Sequence, residues 1–438
     1  MTQRKYRRIG TTTALLVTAT LALSGCGSSE GAEATGKVAG PIQYGFWGNA
    51  DRTKYTAAVS ELFMAKNPGT KVEHLASEYQ AYIERLTVQA SSGELPCVTQ
   101  TQSTFASTYM AAGVLRPLDD LIKSGAIDIS GIPEEILETG RADGKQYTIP
   151  VSTFLRLIAY NTAMGEDYGV EPLAKSGTYE DYRKWALQAQ AKLPAGTYAA
   201  ENEGANLFTL YNWVAGHGKQ MFDGGALGFD QQLLVEYFEF WEELRKAGAA
   251  TPADRLDEQF GALEVTPLAR GIALSSTRDI AQFAVVVNTL KSQGKPSELA
   301  FLRQRVEPSV QSGNVPGTNG LSISTSCDNV STAAEYIDFF ANDVEGAQAF
   351  QSNNSIVISP EGRKALLEDQ KTSETVRKSL EVFTEITDDG DIAAATYPSG
   401  YQTLQPLLRR LYENVAFGKT TAADAAATFF TQSKSDLK

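Results

Sequence analysis

Apolar positions along the first third of the chain alternate between two periods. Ile42-Gln43-Tyr44-Gly45-Phe46-Trp47 predicts a buried strand, and Gly48-Asn49-Ala50-Asp51 supplies turn and N-cap chemistry. Tyr55, Ala58, Val59, Leu62 and Phe63 then recur at helical spacing until Asn67-Pro68-Gly69 stops the helix. Residues 71–75 predict a second strand. Tyr79, Ile83, Leu86 and Ala90 mark a second helix, ended by Ser91-Ser92-Gly93. Residues 97–101 and 105–112 continue the series as strand and helix. This β-α-β-α-β-α order predicts an α/β fold with a mainly parallel sheet covered by helices.

Residues 146–151 and 157–160 predict two more strands, after which helical patterning dominates. Thr178-Tyr179-Glu180-Asp181 has the form of a capping box and opens a helix through Trp185 and Leu193. Residues 230–247 predict a long helix with Leu233, Leu234, Tyr237, Trp241 and Leu244 on one face and Gly248 as its stop. Residues 271–274 and 321–323 are predicted strands; 331–341, 373–384, 404–417 and 422–430 are predicted helices. Tyr211 and Trp241 lie in helical patterns and are assigned to core. Neither a 20–50-residue repeat nor a long linker after residue 40 interrupts the pattern. One compact unit, or two lobes joined by several crossings, is therefore expected.

The first 26 residues address the compartment. Arg4, Lys5, Arg7 and Arg8 precede an uncharged apolar run over 9–23, and Leu23-Ser24-Gly25-Cys26 follows. This is signal-peptide architecture, too short for a comfortable membrane span. Leu-Ser-Gly-Cys resembles a bacterial lipobox, which implies lipidation of Cys26; plain secretion with Cys26 discarded or free is the alternative. Residues 1–25 read as the leader and 26–40, small and polar, as a lipid-anchored flexible tether. Cys97 and Cys327 then face an oxidising compartment and are candidates for a disulfide, with free buried thiols as the alternative.

Charge narrows the partners. Asp plus Glu number 52 against 39 Lys plus Arg, a net −13, and loss of the four cations in residues 1–25 leaves about −17. Such an acidic excess argues against nucleic acid as a partner. Two histidines and three cysteines offer little for a zinc site or a Cys/His catalytic centre. No nucleophile elbow, His-Glu-x-x-His pair, P-loop or dinucleotide glycine fingerprint is present. Asp388-Asp389-Gly390-Asp391 lacks the ligand spacing of a calcium loop and reads as a solvated acidic turn. No catalytic residue, metal or cofactor is therefore expected. His74 and His217 are expected to be packed or surface residues.

Aromatic residues carry more information by position. Trp47 lies at the end of the first predicted strand, Tyr79 follows the second and Phe105 the third. In open α/β sheets ligands sit beyond the carboxyl ends of strands. With Asn49, Glu78 and Gln102 beside them, these rings would offer apolar faces and hydrogen-bonding edges, the combination a pyranose requires.

The motifs that follow one another along the mature chain resemble those of the extracellular solute-binding proteins of bacterial ABC importers, family 1, whose members are carbohydrate-binding lipoproteins. After the lipobox come Phe46-Trp47-Gly48, Lys66-Asn67-Pro68-Gly69 and Glu78-Tyr79-Gln80-Ala81-Tyr82. Gly113-Val114-Leu115-Arg116-Pro117-Leu118-Asp119 matches the family's G-x-L-x-P-L-D. Gly144-Lys145-Gln146-Tyr147-Thr148-Ile149-Pro150 matches G-K-x-Y-x-x-P, and Tyr160-Asn161 follows. Two departures bear on the ligand. Cys97 replaces the Asp usual after Pro96, and Gln102 stands where many relatives place an acidic sugar ligand.

The resemblance implies a two-lobed periplasmic-binding-protein-like fold of class II type, with the ligand cleft between lobes joined by hinge segments. Lobe one would run over 41–151 and 314–372, lobe two over 152–313 and 373–438. It adds Phe154, Arg156, Trp213, Arg278, Tyr397 and Tyr401 as ligand-binding candidates on lobe two. It implies a monomer, tethered to the outer face of the bacterial cytoplasmic membrane, that captures a sugar or oligosaccharide and passes it to ABC permease subunits. The same fold serving a polyol phosphate, peptide or polyamine is the alternative.

Overall fold

A computed structural model describes residues 36–437. The predicted leader, Cys26 and the tether up to residue 35 lie outside the described residues. Nine strands make the main sheet: β1 Gly40–Trp47, β2 Thr70–Ser77, β3 Val98–Gln102, β4 Ile149–Asn161, β5 Tyr198–Ala200, β6 Ala273–Asp279, β7 Leu299–Leu302, β8 Pro316–Ile323 and β9 Ile356–Val357. Along its main path the order is β2-β1-β3-β8-β4-β6-β5, with β7 and β9 also paired to β4.

The first three strands are parallel, as predicted, with Gly40 opposite Thr70 and Tyr44 opposite Val98. The sheet as a whole is mixed. β8 runs antiparallel to both β3 and β4, and β4 antiparallel to β6, β7 and β9. The two strands predicted at 146–151 and 157–160 are one 13-residue strand, β4, about 40 Å long. Ser152 and Thr153 made it look interrupted. Both are buried, and both hydroxyls are spent on backbone carbonyls: Ser152 Oγ donates to Asn354 O and Thr153 Oγ1 to Gly317 O (3.1 Å). Gln146 belongs instead to a short hairpin opposite Arg141.

Residues 149–155 of β4 pair with β8 and β9, whereas 156–161 pair with β6 and β7. One strand therefore serves two sets of partners. Two large apolar cores flank this crossing. One contains Phe46, Phe63, Leu321, Tyr336 and Phe383; the other contains Trp185, Trp213, Tyr237, Trp241 and Leu408. Helices Phe283–Ser292 and Glu374–Asp388 bury Val287, Leu290, Leu380 and Phe383 in the first of these cores. A third, small cluster gathers Trp47, Tyr82, Leu86, Phe105 and Tyr109.

Local chemistry sets the helix ends. The Thr178 box closes in both directions with Asp181. Asp230 caps Gln231–Lys246 by accepting from Leu233 N. Gly93 ends Tyr79–Ser92 at φ 73°, a conformation other residues adopt only with strain. Tyr211 and Trp241 are core, as assigned. Cys97 and Cys327 form a disulfide, their Cα atoms 4.4 Å apart, between the start of β3 and the turn after β8. Among the described residues no helix is long and apolar enough to cross a membrane.

Candidate functional site

A cavity of about 320 Å³ opens at the carboxyl ends of β2 and β3, where Tyr79, Gln102 and Thr104 form one wall. The facing wall comes from Arg156 on β4, Asn206, Leu207 and Phe208 at the start of a helix, Gln259 and Phe260, and Tyr401, Gln402 and Gln405. Four aromatic rings and five side-chain amides line it. Arg156 is its single charged residue, and no carboxylate faces it.

Four of the predicted ligand residues meet in this cavity: Tyr79, Gln102, Arg156 and Tyr401. Tyr79 is 42 % exposed and rests edge-on against Trp47, centroids 5.6 Å apart. Trp47 also contacts Phe105 at 6.1 Å, so these two buried rings back Tyr79. Gln102 is held at both ends: Nε2 donates to Asn319 Oδ1 (3.2 Å), and Oε1 accepts from Thr104 Oγ1 (2.8 Å). Phe154 and Tyr397 reach the site through Phe208, which they meet at 5.9 and 6.4 Å. The Tyr397 hydroxyl is used internally, donating to Pro316 O (2.6 Å).

The other predicted residues lie elsewhere. Asn49 is a helix cap, its side chain accepting from Arg52 N at 3.0 Å. Glu78 is exposed at the start of helix Tyr79–Ser92 and makes no capping bond. Trp213, 5 % exposed, is a core residue wedged between Tyr179 (4.3 Å) and Phe240 (5.2 Å); its helix turns that face inward. Arg278 is buried and spent on Glu201 at 2.5 Å.

Phe208, Phe260, Asn206, Gln259, Gln402 and Gln405 complete the cavity and escaped the sequence reading. Asn206 carried a usable signal. It precedes an apolar helical run, and its side chain does cap helix Leu207–Gly216, accepting from Phe208 N and Thr209 N. Gln405 pins the same turn, accepting from Leu207 N (2.9 Å) and donating to Ala205 O (2.9 Å).

Under this wall lies a buried charged layer. Glu203 accepts from Ser276 Oγ and Thr277 N, and burial pushes its carboxyl up. Asp279 stands opposite Arg156 across β6 and β4. Burial raises its carboxyl to about 6, with the Ala281 N–H and Arg156 pulling the other way. Arg156 itself is lowered by burial, partly offset by Asp279 and Tyr401. Away from the cavity, Arg303 gathers the acidic turn, pairing with Glu385 (3.2 Å), Asp389 and Asp391 (3.0 Å). His74 shares a 2.8 Å hydrogen bond with Ser60, and His217 stacks on Tyr179. Among the described residues no group of three or more His, Cys, Asp or Glu is placed to hold a metal ion.

Comparison with known proteins agrees with this architecture. The model of the bacterial extracellular solute-binding protein family matches residues 58–360. The sn-glycerol-3-phosphate-binding periplasmic protein UgpB of Escherichia coli is 22 % identical over 246 residues, 52 % of this chain and 56 % of that protein. The chain thus spans about half the length of the curated relatives it matches. An extracellular solute-binding protein of family 1 from Alicyclobacillus acidocaldarius superposes with a TM-score of 0.74 at 20 % identity, covering 92 % of this chain and 99 % of that one. A periplasmic oligogalacturonide-binding protein from Yersinia enterocolitica, in complex with saturated digalacturonic acid, superposes with a TM-score of 0.72 at 18 % identity, covering 90 % and 98 %. At these identities the likeness shows the fold, the two-lobed arrangement of periplasmic solute-binding proteins. The chain belongs to the bacterial extracellular solute-binding protein family.

Proposed function

We propose that this protein is the lipid-anchored substrate-binding component of an ABC importer, capturing a sugar or oligosaccharide by hinge closure and delivering it to a membrane permease. The observation that carries the reading is the cavity between Tyr79 and Gln102 on one side and Arg156, Phe208, Phe260 and Tyr401 on the other. Ring faces suit the C–H faces of a pyranose, and amide edges suit its hydroxyls. Predicted lobe one (41–151 and 314–372) supplies the first wall and predicted lobe two (152–313 and 373–438) the second, although residues 283–292 and 374–388 of that second range pack in the core of the first. A ligand touching both walls binds the closed form better and shifts the open–closed equilibrium. β4 and the chain leading into β8 are the crossing segments about which the lobes would turn. Lipid on Cys26 and a short tether would keep the receptor beside its permease and raise the local concentration.

The alternative that a specific observation favours is a polyol phosphate, because a cationic side chain lines the cavity. A polyamine or a peptide amine would call for carboxylates there. The test is a thermal-shift screen with mono-, di- and oligosaccharides and polyol phosphates, followed by small-angle scattering on any hit. A ligand at 100 times its Kd adds about 2.7 kcal/mol to the folded state. A sharp shift with compaction is expected; silence across the panel, or binding without compaction, overturns the reading.

A further inference from the structure

We propose that the solute taken by this cavity carries an anionic group, a carboxylate or a phosphate, which docks on the Arg156 guanidinium and the Tyr401 hydroxyl. The inference deepens the solute-binding reading above and rests on it.

Two buried donors on residues that line the cavity have no acceptor. Among the described residues Arg156 forms no ion pair, and its buried Nε has no hydrogen-bond partner. The Tyr401 hydroxyl is also buried and unpartnered, on a side chain only 3 % exposed. Both residues line the same cavity, and both touch Phe208: the Arg156 Cζ lies 4.3 Å from its ring centroid, and the Tyr401 ring is 6.1 Å away. With its carbon over the Phe208 ring, the guanidinium has no acceptor on that side, and its planar array of N–H donors is left for a solute. That is the fork geometry that fits a carboxylate or phosphate with two bonds.

The backbone under Arg156 is fixed from two directions. Its carbonyl accepts from Asn212 Nδ2 (3.2 Å) and from Gln304 Nε2 (2.8 Å). The side chain is thus mounted on a rigid strand with its polar end unspent. Binding energy need not go into ordering it.

Asp279 attracts Arg156 across β6 and β4, but no nearby carboxylate forms an ion pair or hydrogen bond with it among the described residues. Arg278, the neighbouring arginine, is engaged by Glu201. The Glu203 carboxylate is tied to Ser276 and Thr277. Asp279 accepts from Ala281 N at 2.8 Å and does not line the cavity. A half-buried cation without a hydrogen-bonded counter-charge is costly to keep. An anionic solute supplies the missing charge, whereas a neutral sugar supplies only hydroxyl acceptors, which make weaker bonds to a guanidinium.

The test is calorimetric titration of the purified protein with two matched pairs: a galacturonate disaccharide against the neutral galactose disaccharide, and glycerol 3-phosphate against glycerol. Wild type, Arg156→Gln and Tyr401→Phe are compared. One acidic probe is expected to bind at least about 100-fold more tightly than its neutral partner, and which one wins separates a sugar acid from a polyol phosphate. Arg156→Gln should remove that preference, weakening the acidic probe at least about 10-fold more than its neutral partner. Tyr401→Phe, a milder change that retains the ring, should weaken the acidic probe about 10-fold. Equal binding of acidic and neutral members, or a preference that survives Arg156→Gln or is untouched by Tyr401→Phe in a folded protein, overturns the proposal while leaving the solute-binding reading intact. Silence on all four probes and on the wider panel above overturns both.

Discussion

Arg156 places its guanidinium carbon over the Phe208 ring, 4.3 Å from the centroid, on one wall of the cavity. Phe208 is the hub of this wall, for it also contacts Phe154, Tyr397 and Tyr401. Replacing it by leucine keeps apolar volume but removes the cation–π face and the edge contacts. We expect Phe208→Leu to weaken solute binding about 5- to 30-fold, from about 1–2 kcal/mol of lost stacking. Calorimetry of the variant with the best solute checks this. Unchanged affinity would mean that Phe208 is packing alone.

Trp213 makes the contrasting case. It packs among Tyr179, Tyr237 and Phe240, away from the cavity. Trp213→Phe should lower stability by about 1–3 kcal/mol through lost packing. The solute Kd should stay within twofold. A denaturant titration and a binding isotherm on the same preparation separate the two effects. A large loss of affinity at wild-type stability would return Trp213 to the site.

Asp279 gives a pH signature. Its folded-state carboxyl titrates near 6, against an ordinary value of 3.8. The folded state therefore holds this proton more tightly than the unfolded chain. The contribution is fully present below about pH 4, is lost as pH rises through 6, and is flat above, a change of about 3 kcal/mol at most. Asp279→Asn abolishes that fall. The variant should match wild type at pH 4 and exceed its stability at pH 7. Parallel stability–pH curves for the two proteins would contradict the assignment.

Gly317 sits where a Cβ would come within 2.1 Å of the Phe154 ring. The ring cannot retreat without pressing on Phe208. Gly317→Ala is expected to cost about 1–3 kcal/mol by overpacking and to weaken binding as the wall shifts. A melting curve and a titration will show whether both move together.

Much of this architecture is legible in the sequence because local signals and tertiary packing agree. The alternation from Ile42 to Ala112 gives three parallel strands with their intervening helices. The Thr178 box and the Asp230 cap mark real helix ends. Legibility fails where a long-range partner overrides the local pattern. Ser152 and Thr153 break the apolar run of β4, yet are satisfied by carbonyls about 200 and 160 residues away. Helix Phe283–Ser292 was missed because its buried face is defined by partners distant in sequence. In the site, the aromatic residues at strand ends could be read. Trp213 and Arg278 were overread, because type and position cannot distinguish a core tryptophan or a paired arginine from one that faces solvent. The amide wall of Gln259, Gln402 and Gln405 went unseen, since glutamine carries no periodicity and its role here comes from which helices meet.

The bond between Cys97 and Cys327 closes a covalent ring 230 residues around. That ring contains all of β3 to β8, so every strand on the far side of the crossing lies inside it. A protease that nicks any loop between those cysteines produces two peptides that still migrate as one molecule until a reductant is added. A single cut in such a loop therefore leaves both walls of the cavity on one covalently joined molecule.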